Sequence, residues 1–276
     1  KRMSLCWIDE DKLEFPPLSE ALLEPNGLLA VGGDLSVDRL LKAYSSGIFP
    51  WYSEEQPILW WSPDPRMVLR PDTLKISRSL RKQLRRSNWR LSLDEDFSQV
   101  IFCCAGQRDD HTGTWITEEM QEAYCDLHEA GFAHSVEVWD EQDGSLLGGL
   151  YGVAIGGVFF GESMFSKADN ASKIALVYLM QQLKRWGFKL VDCQVSSDHL
   201  VSLGAFEISR SNFGEEIEAL AVLENFKGPW SFDDDLKFEF MSELLIEPSI
   251  KPSIKPSTEP SAELLAKAQP LEKDSQ

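Results

Sequence analysis

The run Leu190-Val191-Asp192-Cys193-Gln194-Val195 sets a carboxylate among apolar neighbours. Strand alternation places Asp192 and Gln194 on one face and Val191, Cys193 and Val195 on the other. A carboxylate there carries a desolvation cost unless it is hydrogen-bonded or at work. It is either a structural aspartate that caps a nearby loop, or a group that accepts or orients a proton beside an amide that holds substrate. A second run, Gly161-Glu162-Ser163-Met164-Phe165-Ser166, follows Val158-Phe159-Phe160 and puts Glu162 at a strand exit. Ser163 and Ser166 lack a G-x-S-x-G elbow and a matching histidine, which argues against covalent serine catalysis. Cys103-Cys104 could offer a reactive thiol, although burial is the commoner fate of free cysteine.

Other chemistries find little support. Five cysteines without a C-x-x-C pair and four histidines without an H-E-x-x-H pair argue for neither disulfides nor a metal site. Gly148-Gly149, Gly152, Gly156-Gly157 and Gly161 form neither a dinucleotide fingerprint nor a phosphate-cradling loop.

The charge is unevenly spread. Net charge is −18, yet the window from Arg70 to Arg90 holds eight basic residues against one acid, Asp72. Read as a helix over Ile76–Ser87, it sets Arg78, Lys82, Arg85 and Arg86 at i, i+4, i+7 and i+8, with Arg81 beside them. Leu80 and Leu84 form the apolar stripe that docks it. A solvated basic face is the plain alternative, but the concentration against an acidic background favours phosphate binding. Trp51, Trp60-Trp61 and Trp115, with Tyr124 among Met120 and Leu127, are either core residues or rings on which single-stranded bases stack.

These groups need elements to hold them. Ser36 caps a helix carrying Val37, Leu40, Leu41 and Tyr44, which Gly47 ends. Thr117 opens another, running to Ala130 and stopped by Gly131. Strand-like runs follow at His134–Trp139, Leu146–Ile155 and Val158–Phe160. Asn170 opens a long helix with Leu176, Leu179, Met180 and Leu183 on one face, closed by Gly187. From Glu247 a four-residue unit repeats, with prolines at 248, 252, 256 and 260, which forbids helix and sheet ladders. The expected partition is a small N-terminal α+β domain over 1–64, a larger domain over 65–240 and a flexible tail over 241–276. With 43% hydrophobic residues there is material for a core. No apolar run approaches the ~18 residues of a membrane span. Asp9-Glu10-Asp11 breaks any signal-peptide core, so a cytoplasmic protein is expected.

Several ordered blocks together resemble one family. They are Asn26-Gly27-Leu28-Leu29-Ala30-Val31-Gly32-Gly33-Asp34-Leu35, Gly47-Ile48-Phe49-Pro50-Trp51 and Trp60-Trp61-Ser62-Pro63-Asp64-Pro65-Arg66, then Gly113-Thr114-Trp115-Ile116-Thr117, Gly161 to Ser166, and Asp192-Cys193-Gln194. The chain is similar to the leucyl/phenylalanyl-tRNA–protein transferases from near Phe15 to Arg210. The resemblance implies an α+β fold: a small N-terminal domain and a larger one like the acyl-CoA N-acyltransferase (GNAT-like) fold, a mixed sheet flanked by helices. It implies a bacterial aminoacyltransferase that moves Leu or Phe, and Met less well, from charged tRNA to proteins beginning with Arg or Lys, marking them for N-end degradation.

By the same resemblance Asp192 serves as base or relay and Gln194 positions the amine. Tyr44, Trp51, Trp115 and Tyr124 line the site of the tRNA 3′ adenosine, and Glu162 holds either the ribose end or the cationic acceptor. Leu150, Phe159, Met164, Leu176, Leu179, Leu183 and Val191 form the aminoacyl pocket. Arg78, Arg81, Lys82, Arg85 and Arg86 meet the acceptor-stem phosphates. No cofactor, no metal and no membrane are implied, and a monomer is expected. Two rivals remain at this point: a CoA-dependent N-acetyltransferase, against which the missing pyrophosphate-gripping Gly loop speaks, and a non-catalytic RNA-binding module.

Overall fold

The computed structural model describes residues 5–106, 116–236 and 240. The expected Pro-repeat tail, like Trp115, lies outside the described residues.

The N-terminal part folds as β1 (Cys6–Ile8), β2 (Leu28–Gly32), α1 (Val37–Ser45), β3 (Phe49–Pro50) and β4 (Leu59–Trp61), with the strands in one sheet of order β1-β2-β4-β3. Helix α1 starts where the Ser36 hydroxyl accepts from the Arg39 N–H, and Gly47 leaves it at φ +75°, a conformation open to glycine. Trp60 is fully buried and donates its indole N–H to the Gly32 carbonyl at 2.8 Å.

The chain then builds β5 (Arg66–Leu69), α2 (Arg78–Arg86), β6 (Trp89–Leu93), α3 (Phe97–Gly106), α4 (Glu118–Glu129), β7 (Ala133–Asp140) and β8 (Leu146–Ile155). It continues through β9 (Val158–Ser166), α5 (Ala171–Arg185), β10 (Leu190–Gln194), α6 (Asp198–Ser202), β11 (Phe206–Ile208) and α7 (Arg210–Leu220). Seven strands share a second sheet in the order β11-β5-β10-β9-β8-β7-β6. All its pairings are antiparallel except β9–β10, where α5 supplies the crossover that parallel neighbours require. Among the described residues the fold is α+β, with mixed sheets flanked by helices.

Alternation along the strands feeds two cores. Tyr151, Val153, Val158 and Phe160 join α1, α3, α4 and the N-terminal sheet on one face. Leu150, Ala154, Phe159 and Val191 join α2 and α5 on the other. The two sheets change over between Trp61 and Arg66, but Ile8, Leu29 and Trp60 share one apolar cluster with Phe97, Tyr124 and Phe165.

The structure departs from these expectations in places. Strand β9 runs on to Ser166, so Glu162 sits within a strand rather than at its exit. Long β8 keeps pairing with it across an irregularity at Tyr151/Gly152, where a Cβ on Gly152 would fall 2.2 Å from the Phe160 carbonyl oxygen. Asn170 opens α5 as expected, at φ +62°, but its side chain makes no cap hydrogen bond and its amide donates to the Gln83 Oε1 at 2.7 Å. The Ser166 hydroxyl accepts from the Ser172 N–H instead. Helix α3 and strand β6 were not foreseen; α3 turns Phe97, Val100, Ile101, Cys103 and Cys104 inward, so both cysteines are core.

One polar contact crosses the buried middle of this arrangement. Arg66, at the head of β5, is fully buried and grips Asp192 of β10 in fork fashion, Nε to Oδ1 at 2.8 Å and Nη2 to Oδ2 at 2.6 Å. Its Nη1 donates to the Gly47 carbonyl at 3.2 Å, and its guanidinium lies 4.3 Å from the Phe213 ring centre and 4.8 Å from that of Phe49. Arg66→Met would leave a buried carboxylate without its counter-charge, and unfolding in denaturant should show a loss of about 3–5 kcal/mol. Replacing both partners, Arg66→Met with Asp192→Leu, should recover most of that loss.

Candidate functional site

A cavity of about 300 Å³ opens over the middle of the larger sheet. Leu150, Phe159, Met164, Leu176 and Val191 supply its apolar lining, from β8, β9, α5 and β10. Glu162, Ser163, Gln194 and Ser197 supply its polar lining, and Phe49, Pro50 and Trp51 wall it from the N-terminal part. Trp51 is 46% exposed, and its ring centre lies 5.7 Å from that of Trp61. Leu179 and Leu183, expected in this lining, are absent from it. They lie one and two turns further along α5 and are fully buried in the core.

Strand β10 is not the simple two-faced strand that alternation predicts. Its register against β5 shifts between Asp192 and Gln194, and Gln194 takes φ +59°, unusual for a non-glycine residue. Val191, Cys193 and Gln194 therefore all reach the cavity, while Asp192 turns away into the core. The Gln194 N–H donates back to Asp192 Oδ1 at 3.0 Å, which holds the irregular turn. Asp192 is thus fully buried, with both oxygens on Arg66 and one also on this N–H. Burial pushes the Cys193 thiol well up, so it lines the cavity as an uncharged sulfur.

The group that faces the cavity with a titratable proton is Glu162. Tyr44 of α1 donates to its Oε1 at 2.7 Å and Tyr124 of α4 to its Oε2 at 3.0 Å. The two phenols also touch each other, and the Gln194 amide reaches Oε1 at 3.1 Å. Burial is the largest influence on Glu162 and raises it to about 7, against the two tyrosine hydrogen bonds; the nearby charge of Asp192 pushes the same way. Burial first, then the Glu162 charge, lifts both Tyr44 and Tyr124 well above the usual phenol range. The oxygen triangle has a simple consequence. Three contacts among two phenols and a carboxyl need three protons, and the phenols carry two. With Glu162 ionised both phenols donate to it; with Glu162 protonated it donates to one phenol, which in turn donates to the other, so the triangle can hold one exchangeable proton near neutral pH.

The basic helix is placed as its stripe requires. Leu80 and Leu84 are buried, the Ser77 hydroxyl accepts from the Leu80 N–H, and Arg78, Lys82, Arg85 and Arg86 are exposed, with Arg81 half-buried. Gln83 ties α2 to the start of α5, its amide donating to the Asp169 carbonyl at 2.5 Å and accepting from Asn170. Sequence reasoning missed the role of Arg66. Its signal was a lone charged residue heading the apolar run Met67-Val68-Leu69, all of it buried. Phe49 and Pro50 were also missed as cavity wall. Among the described residues no three His, Cys, Asp or Glu side chains gather as a metal site would need.

A carboxyl raised from its ordinary value to about 7 stabilises the fold below the unfolded-state value, and that stability is lost as pH rises through 7. The melting temperature of Glu162→Gln, which cannot ionise, should therefore gain on that of the unsubstituted chain as pH rises from 5 to 8. Parallel profiles across that window would contradict the proton assigned to this triangle.

The chain is similar to known proteins along most of its length. The model for "Leucyl/phenylalanyl-tRNA protein transferase" matches residues 68–218, and that for the N-terminal domain of the same transferase matches residues 33–64. A leucyl/phenylalanyl-tRNA–protein transferase of Nitrosospira multiformis is 57% identical over 229 residues, covering 83% of this chain and 97% of its own. One of Pseudomonas fluorescens is 60% identical over 211 residues, covering 76% of this chain and 92% of its own. Among solved structures, that of L-PGS from Bacillus licheniformis aligns with a TM-score of 0.35 at 14% identity, over 57% of this chain and 50% of that one. With both family models in chain order and relatives aligned along nearly their whole length, the chain belongs to the leucyl/phenylalanyl-tRNA–protein transferase family, which are aminoacyltransferases.

Proposed function

We propose that this chain moves Leu or Phe, and Met less well, from aminoacyl-tRNA to the α-amine of proteins beginning with Arg or Lys. In the bacterial cytoplasm this marks them for N-end degradation. The observation that carries the reading is an apolar cavity whose polar side is the Glu162–Gln194 pair, in a chain of this family. Its volume suits one aminoacyl side chain, and its apolar end, Leu150, Phe159, Met164, Leu176 and Val191, offers nothing to a charged one.

The donor ester is already activated, so alignment and proton management are what the protein must add. The acceptor's α-ammonium first gives up one proton to solvent. Its nitrogen then bonds to the ester carbonyl carbon, the carbon–oxygen bond to the ribose breaks, and the second proton that the nitrogen sheds ends on the departing ribose oxygen. Glu162, held near 7 by burial, is matched to exchange that proton with the phenols of Tyr44 and Tyr124 behind it. Gln194 lies beside Glu162 and orients the amine. Asp192 acts through Gln194, fixing its backbone, rather than by meeting the substrate. Trp51, half-exposed at the mouth, is suited to stack on the terminal base. The residues of α2 take phosphates without regard to sequence.

Transfer of labelled Leu from charged tRNA should proceed to a peptide beginning with Arg or Lys and not to one beginning with Gly. Leu should be preferred to β-branched Ile by about tenfold or more, the scale of one misplaced methyl in an apolar pocket. Equal transfer to the Arg and Gly peptides would refute the acceptor reading.

Neutralising Arg78, Lys82, Arg85 and Arg86 together should weaken binding of all charged tRNAs alike. It should also flatten the log–log dependence on salt, by somewhat less than one unit of slope for each phosphate that no longer meets a cation. The Leu-to-Ile preference should not move. An unaltered slope would return α2 to a solvated face.

A further inference from the structure

Past α7, and past the last residue of either family match, the chain folds back across the sheet and places Trp230 in the core. Several ties hold this segment. The Trp230 N–H donates to Asp94 Oδ2 at 2.7 Å, its indole N–H donates to the Phe226 carbonyl at 2.8 Å, and the Asp233 N–H donates to Gln182 Oε1 at 2.9 Å. The indole stacks on the His134 ring at 3.6 Å and 3° between planes, and Asp94 Oδ2 also pairs with His134 Nδ1 at 2.8 Å. Trp230 is therefore fixed in both position and tilt.

What it backs is a wall of the cavity. Its ring centre lies 6.2 Å from that of Phe159 at 37°, and Phe159 lines the apolar end. On its own sheet Phe159 has Val191 of β10 beside it in register on one side. On the other side β8 offers Ala154 and then Gly152, where a Cβ would fall 2.6 Å from the Phe159 ring tip, so the tip fills the space the glycine leaves. The ring's remaining freedom is away from the sheet. Trp230 stands there.

We propose that Trp230 is a specificity-determining residue: by backing Phe159 it sets how deep the aminoacyl cavity runs, and so the choice between Leu and the longer Phe. The inference rests on the transfer reading above. A smaller side chain at 230 leaves room into which Phe159 can retreat, and the cavity gains depth that Phe can fill and Leu cannot. Glu162 and Gln194 are not touched, so the change should fall on the binding of the aminoacyl group and leave turnover at saturation nearly constant.

The test compares the full chain with Trp230→Leu, Trp230→Phe, Phe159→Leu and the double variant Phe159→Leu/Trp230→Leu. Two quantities are read: kcat/KM for Leu and Phe transfer, and calorimetric affinity for stable amide analogues in which Leu or Phe is joined to 3′-amino-3′-deoxyadenosine. Trp230→Leu should shift the Leu-to-Phe ratio towards Phe by about tenfold in both measures, mainly through KM. Trp230→Phe, which keeps a ring, should shift it the same way by about threefold, and carries the test if Trp230→Leu does not fold. The double variant should shift the ratio no further than the larger single shift, because both act on one wall. Equal losses for Leu and Phe would reduce Trp230 to a structural residue and overturn the proposal, as would independent, multiplying shifts. If the chain binds and discriminates the analogues but transfers neither residue, the transfer reading fails while the analogue ratios still decide the role of Trp230.

Discussion

The buried pair of Arg66 and Asp192 is the constraint on which the site depends. Two charges with no access to water are tolerable only if nearly every polar atom is matched, and here they are. Asp192 receives the guanidinium fork and the Gln194 N–H, while Arg66 gives a third N–H to Gly47 and lies against two phenyl rings. Satisfying the carboxylate this way draws the Gln194 N–H inward and sustains the left-handed turn at that residue. The turn frees the Gln194 side chain to face Glu162 instead of following the strand's alternation. The same guanidinium ties the end of α1 to β5 and β10. The tyrosine on α1 and the glutamine on β10 are thereby held to one frame.

A second consequence is electrostatic. Asp192 and Glu162 are near enough for the charge of one to raise the proton affinity of the other. Only Asp192 has an arginine in its grip. The environment thus treats the two carboxyl groups differently: Asp192 is gripped by an arginine in the core, and Glu162, facing the cavity, is raised to about 7. Tyr44 comes from α1 and Tyr124 from α4, on opposite sides of the change of sheet near residue 64, so the triangle exists only when both parts are packed on their shared core.

Much of this was legible from residue types, and the failures have physical causes. Helix starts at Ser36 and Thr117 were readable because a hydroxyl cap is a local signal, and both side chains do accept from the third residue on. Asn170 does open α5, but without a side-chain cap, because its amide answers to a partner far away in sequence, Gln83. Alternation put Val191 and Cys193 on one face, the face that lines the cavity, and failed at Gln194, because a shift of register is set by the neighbouring strand, which no local pattern reports. Helical spacing grouped Leu176 with Leu179 and Leu183. A helix face is longer than one cavity, and only the first turn reaches it. Glu162 was singled out by its apolar neighbours, whereas its phenol partners lie 118 and 38 residues away. Arg66 was visible only as part of a motif, since the meaning of a buried arginine lies in the carboxylate it meets.

The net charge of −18 opposes an RNA substrate only as a total, and electrostatics at a surface is a matter of range. At physiological ionic strength exposed charges more than about 8 Å apart are largely screened, so a polyanion near the surface responds to the charges beneath it rather than to the total. Helix α2 is the place where those charges are basic, and its seat is not arbitrary. Gln83 bonds it to Asp169 and Asn170 at the head of α5, and Leu176, six residues on, lines the cavity. At 1.5 Å of rise per residue, that anchor stands only about 9 Å along the helix axis from the part of α5 that lines the cavity. If α2 binds phosphates as proposed, the acidic balance elsewhere works in the same direction as the basic stripe, and a nucleic acid drawn there would be held beside the cavity.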